Sequence, residues 1–195
     1  MESLSVSDGS EAKRSKVVST IFLALASVSI ALVFVVTYLT ANVTIPATKG
    51  YFDFGDIIIF IVALTFGPTI GGLAGGLGSS LSDALSAGSS IYAPFTLIIK
   101  GLEGYVAGYL AFRSFRGKLG IAWAFASAIM VVGYFVAESL VIVGYPASLV
   151  EVPFNVLQVV AGGVIGIPVS QFLRRTLPSN MIYSRKTSTG NQPKS

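Results

Sequence analysis

Residues 57–82 read IIIFIVALTFGPTIGGLAGGLGSSLS, 26 residues without a charge. How this run divides decides the fold. Proline cannot continue a helix cleanly and biases its predecessor away from the helical region. Gly67-Pro68 therefore marks a turn, and the run reads as two helices, about 54–66 and 68–85. Working outward, residues 17–41 form another uncharged run of 25, enough for a helix to cross a hydrocarbon core of about 30 Å. That length exceeds the apolar region of a signal peptide, about 7–15 residues, and no small-residue cleavage site follows. Further spans run 92–112, 119–143 and 152–173. The expected fold is an all-α integral membrane protein of six transmembrane helices. Residues 1–16 and 176–195 are expected to be disordered tails around a membrane domain at 17–175. Between the first two spans, Pro46, Lys49, Gly50, Tyr51, Phe52, Asp53 and Phe54 form an aromatic loop suited to the water interface.

Composition agrees. Hydrophobic residues make up 53% of the 195-residue chain and charged residues 11%, against about 25% in ordinary soluble domains. The mean hydropathy is +0.77. There is no Cys and no His, which excludes disulfides, thiolate chemistry and the Ser-His-Asp triad. With six spans, Lys13, Arg14 and Lys16 share a side with Arg113, Arg116, Lys118, Arg174, Arg175, Arg185, Lys186 and Lys194, leaving Lys49 opposite and Lys100 within the membrane. The positive-inside rule then makes both termini cytoplasmic in a plasma-membrane protein. Five spans would put the Arg113 group against the N-terminal one. The net charge of +4 thus reports topology, and no nucleic-acid partner is expected.

Small residues recur every four positions at Gly67, Gly71, Gly75, Ser79 and Asp83, and in parallel at Gly72, Gly76 and Ser80. Such a strip lets a neighbouring backbone approach closely. It serves either plain helix packing or a sliding, partner-docking surface. In the first span Ser27 and Ala31 make one small-xxx-small pair.

Charged residues within spans must face protein, water or a partner, because each costs at least about 2.5–3.5 kcal/mol at the bilayer centre. Lys100 and Glu103 lie three apart on one face and can pair. Asp56 reads as a helix cap at the start of the second span. Glu138, Asp83, the series Tyr92, Thr96, Lys100 and Glu103, and the series Glu151, Asn155 and Gln158 all fall in the outer halves of their spans. The inner halves are largely apolar. This outlines a pocket open to the outside, not a channel. Tyr92, Tyr134, Tyr145 and Phe154 are its candidate flat surfaces, or else interfacial anchors. The candidate substrate contacts are Lys100, Glu103, Glu138, Asn155, Gln158, Tyr92 and Asp83. Lys100 holds either an anionic or carbonyl group or simply Glu103. Asp83 equally serves to fix the loop after its span.

Residues 51–110 resemble the substrate-binding S components of energy-coupling factor (ECF) vitamin transporters, nearest to the riboflavin and hydroxymethylpyrimidine group. The pieces are Gly55-Asp56, Phe66-Gly67-Pro68, the run GGLAGGLGSSLSD from Gly71 to Asp83, and YAPFTLIIKGLEG from Tyr92 to Gly104. The resemblance implies a six-helix protein that binds a vitamin or precursor from outside. Its site would lie among helices four to six, closed by the loop after helix one. It implies docking on a transmembrane coupling protein with two cytoplasmic ATPases, and toppling in the membrane to release substrate. An alanine-xxx-alanine motif on helix one makes that contact in the family, and Ser27 and Ala31 come nearest to it here. No GxxxxGK[ST] loop is present, so ATP hydrolysis must come from elsewhere; no cofactor and no metal are expected either. The competing reading is a self-sufficient ion-coupled carrier with Glu103 or Glu138 as proton site. An intramembrane enzyme is disfavoured, since Asp56 and Asp83 both sit near an outer edge and no nucleophile–base set is evident.

Overall fold

The computed structural model describes residues 5–41, 53–114, 118–178 and 181–182, with the backbone alone for 5–19 and 114. The regular structure of the described residues is entirely helical and forms six helices. We number them α1 (Ser5–Thr40), α2 (Gly55–Phe66), α3 (68–85), α4 (93–114), α5 (119–142) and α6 (147–176). Four contain stretches long and apolar enough to cross a membrane: Thr20–Thr40, Ala93–Arg113, Leu119–Ile142 and Ala147–Thr176. At 12 residues α2 rises only about 18 Å, short of the hydrocarbon thickness. The helix α1 begins at Ser5, so its backbone takes in much of the polar segment read as a tail. The loop residues Pro46, Lys49, Gly50, Tyr51 and Phe52 lie outside the described residues, as do Arg116 and residues 183–195.

The break between α2 and α3 falls at the expected dipeptide. Gly67 adopts φ +91°, a left-handed value that only glycine takes without strain, while its N–H closes α2 on the Ala63 carbonyl. Pro68 then opens α3, where its missing N–H costs nothing. Three helices carry one wide π turn each: Ala74–Gly78 in α3, Leu110–Ser114 at the end of α4 and Glu138–Ile142 at the end of α5.

The glycine strip is a packing surface. A Cβ on Gly71 would meet the Ala63 Cβ at 2.6 Å and the Gly104 carbonyl at 2.7 Å. One on Gly76 would meet the Leu97 carbonyl at 2.9 Å, and one on Gly78 would press Val33 of α1 at 2.8 Å. The absent side chains thus let α3 lie backbone to backbone against α4 while touching α1 and α2. Against α2, Gly162 and Gly166 of α6 make room for Phe60, which is fully buried with Leu64, Met130 and Ala126 in the central apolar cluster.

Polarity is distributed as a bilayer demands. Leu23, Ile98, Val132, Leu140, Val164 and Phe172 are exposed, whereas Asp56, Lys100, Glu103 and Glu138 are buried. A soluble protein would hide the first group and expose the second. The charged groups collect at one end of the bundle. At the other, Arg174 of α6 donates from Nε to the Leu64 carbonyl at 2.5 Å and lies 4.1 Å over the Phe112 ring, tying the ends of α2, α4 and α6 together.

Candidate functional site

A narrow cavity of about 40 Å³ opens between α3, α4, α5 and α6, at the end of the bundle remote from Arg174. Its lining comprises Asp53, Ser79, Asp83, Tyr92, Thr96, Lys100, Tyr134, Glu138, Glu151, Asn155 and Gln158. The volume suits about three or four water molecules, at roughly 10–15 Å³ each.

Each helix supplies its residues for a local reason. Tyr92, which precedes α4, and Thr96 and Lys100 within it recur every four residues, so they stack on one face over two turns. In α6, Glu151, Asn155 and Gln158 follow the same four- and three-residue rhythm. Ser79 and Asp83 continue the α3 strip beyond the glycines, where small residues give way to polar ones. Tyr134 and Glu138 end α5, the second of them opening its π turn.

The floor is a buried charge cluster. The Lys100 ammonium donates to Asp56 Oδ1, and it lies 3.8 Å from Asp53 Oδ2 and 3.8 Å from Glu103 Oε2. It also sits 5.7 Å from the centre of the Tyr134 ring, whose hydroxyl donates to Thr96 Oγ1 at 2.8 Å. One cation thus faces three carboxylates, all nearly or wholly withdrawn from solvent. Buried ion pairs hold only when their partners remain, since an orphaned charge loses about 3–5 kcal/mol.

The structure brings six of the seven candidate contacts, Lys100, Glu138, Asn155, Gln158, Tyr92 and Asp83, to the cavity wall. Glu103 sits beside Lys100, fully buried, and is not among the lining residues. Asp56 does not cap α2. The N-cap position falls on Phe54, which offers no side-chain cap; Asp53 Oδ1 accepts the Gly55 N–H at 2.6 Å, while Asp56 turns inward to Lys100. Asp53 and Ser79 are lining residues that the sequence reading did not single out for the site. The Gly55-Asp56 dipeptide pointed to the right turn, but the cross-helix pairing spans 44 residues and leaves no local signal. Several polar atoms have no hydrogen-bond partner: Glu138 Oε2, Asn155 Nδ2 and Ser79 Oγ in the wall, and both Glu103 oxygens below it. Ser27 and Ala31 are both exposed on α1, on a face that the bundle leaves uncovered.

Residues 17–175 match the family model described as ECF-type riboflavin transporter, S component. An uncharacterised protein of Pyrococcus woesei is 36% identical over 143 residues, covering 73% of this chain and 95% of that protein. The thiamine precursor transporter HmpT of Lactococcus lactis subsp. cremoris (strain MG1363) is 33% identical over 92 residues, 47% of this chain and 51% of that transporter. A match over nearly the whole helical bundle, together with the bundle's inverted polarity, places this chain in the family of S components of ECF-type riboflavin transporters, multi-pass proteins of the cell membrane.

Proposed function

We propose that this protein captures a vitamin or vitamin precursor, a small heterocycle, from the outside and hands it to a shared module of a transmembrane coupling protein and two cytoplasmic ATPases. All six helices span the membrane in this reading, α2 with help from its flanking loop, and both termini are cytoplasmic. The observation that carries the reading is the convergence of α3, α4, α5 and α6 on one cavity lined by Tyr92, Lys100, Glu138, Asn155 and Gln158. Flat aromatic surfaces beside a few convergent hydrogen-bonding groups are what a heterocycle needs. The basic side chains Arg113, Arg174 and Arg175 lie at the end opposite the cavity, which supports an outward-facing mouth. Exposed Ser27 and Ala31 are the proposed contact for the coupling protein, because small residues let a second helix approach.

Native mass spectrometry of the protein purified without added ligand tests the site. A retained small heterocycle is expected, with its occupancy reduced in Asn155→Ala and in Glu138→Ala. Equal occupancy in both variants and the wild type would remove the cavity from the account. The rival reading, an ion-driven carrier, draws on Glu103 and Glu138 as proton sites, since the Glu103 oxygens and Glu138 Oε2 are buried without a hydrogen-bond donor.

A further inference from the structure

The end of the bundle remote from the cavity carries a second polar assembly, and it is cationic. Arg113 lies at the end of α4, Lys118 precedes α5, and Arg174 and Arg175 sit in the last turn of α6. The described carboxylates lie elsewhere, Asp53, Asp83, Glu138 and Glu151 in the cavity wall and Asp56 and Glu103 beside Lys100. Two of the arginines rest on aromatic rings. Arg174 lies 4.1 Å over the Phe112 ring, with its Nε spent on the Leu64 carbonyl. Arg113 stands 5.1 Å from the centre of the Tyr109 ring. Tyr109 and Phe112 are three apart on α4, so neighbouring rings carry one guanidinium from α4 and one from α6. The protein satisfies neither of them fully. Arg174 Nη2 is enclosed without an acceptor, and exposed Arg113 has no carboxylate partner among the described residues.

We propose that this pair of ring-stacked arginines is a binding site for the headgroup phosphate of an anionic membrane lipid. Stacking on a ring orients a guanidinium and leaves its edge for a bidentate pair with phosphate oxygens. Basic pockets between transmembrane helices favour such headgroups. The surroundings require that the anion carry a tail. Ile98, Leu102 and Tyr105 are exposed along α4, and Tyr105 stacks on Tyr109 at 6.2 Å between ring centres. At three- and four-residue spacing they form one apolar stripe that leads to Arg113. The acyl chains of a lipid held there lie against that stripe, whereas inorganic phosphate gains nothing from it. A bound headgroup also braces the junction at which Arg174 joins the ends of α2, α4 and α6. Such a site requires only a bilayer around the bundle and is independent of what the cavity binds.

Native mass spectrometry of the full-length protein tests this, after delipidation in detergent and addition of phosphatidylglycerol, phosphatidylcholine or inorganic phosphate in turn. One phosphatidylglycerol per chain is expected to stay bound under conditions that strip phosphatidylcholine, and inorganic phosphate is expected to leave no adduct. Arg113→Gln and Arg174→Gln should each weaken retention roughly tenfold, the value of a hydrogen bond to a charged group. Arg175→Gln should leave it nearly unchanged. Arg174→Lys keeps the charge but loses the planar stack, and should not restore retention. Because Arg113 is exposed, Arg113→Gln decides the matter even where a variant at Arg174 fails to fold. Equal losses of about fivefold at Arg113, Arg174 and Arg175 would mean a diffuse attraction of basic groups for an anionic surface, and would overturn the site. Equal retention of phosphatidylcholine, or a phosphate adduct with no lipid retained, would overturn it as well.

Discussion

Lys100 is the one ammonium at the centre of the buried carboxylates. It neutralises Asp56 directly and stands 3.8 Å from both Asp53 and Glu103, so three carboxylates from two helices and a loop depend on one ammonium. Lys100→Met keeps most of the stem volume and removes the charge. It should cost about 3–5 kcal/mol of stability, the loss typical when a buried charge is orphaned. Thermal unfolding in detergent reads this out, and an unchanged midpoint would mean that the cluster contributes nothing. The sequence made Lys100 and Glu103 legible as neighbours because three residues of helix put them on one face. It concealed Asp56, because an aspartate in a helix's first turn looks like a cap whether or not its carboxylate turns away. It is Asp53, three residues earlier, that accepts a free N–H at the start of the helix, from Gly55.

At the scale of elements, the contact between α3 and α4 depends on side chains that are absent. On α4, a Cβ at Gly104 would collide with the Gly71 backbone, whereas one at Gly101 meets nothing nearer than 3.6 Å. Gly104→Ala should therefore destabilise the protein by about 1–3 kcal/mol, the usual cost of overpacking. Gly101→Ala should be neutral or slightly stabilising, since alanine is the better helix former. Equal unfolding midpoints for the two variants would contradict backbone-to-backbone packing. The four-residue beat of small residues made this surface legible, as did the glycine–proline break that separates α2 from α3. The three π turns were not legible, because widening a helix by one residue leaves the hydrophobic pattern nearly intact. The one at Glu138 sits at the cavity wall and sets where that carboxylate points, which no count along the sequence reveals.

Across the whole molecule, the ordering principle is a polar cavity at one end of an apolar bundle and arginines at the other. That polarity was readable in advance, because charges within apolar runs are few and their positions along each span are fixed by counting residues. The cavity's tightness was not, since it depends on side-chain volumes from four helices at once. The proposed function makes it a receptor that binds its substrate and leaves the pumping to partner ATPases. The most direct test reconstitutes the protein alone in liposomes under an inward proton gradient and follows the labelled molecule that co-purifies with it. The expected result is saturable binding near one molecule per chain with no accumulation in the lumen. Gradient-driven accumulation without any ATPase would contradict the account and make Glu103 or Glu138 the proton site of a self-sufficient carrier.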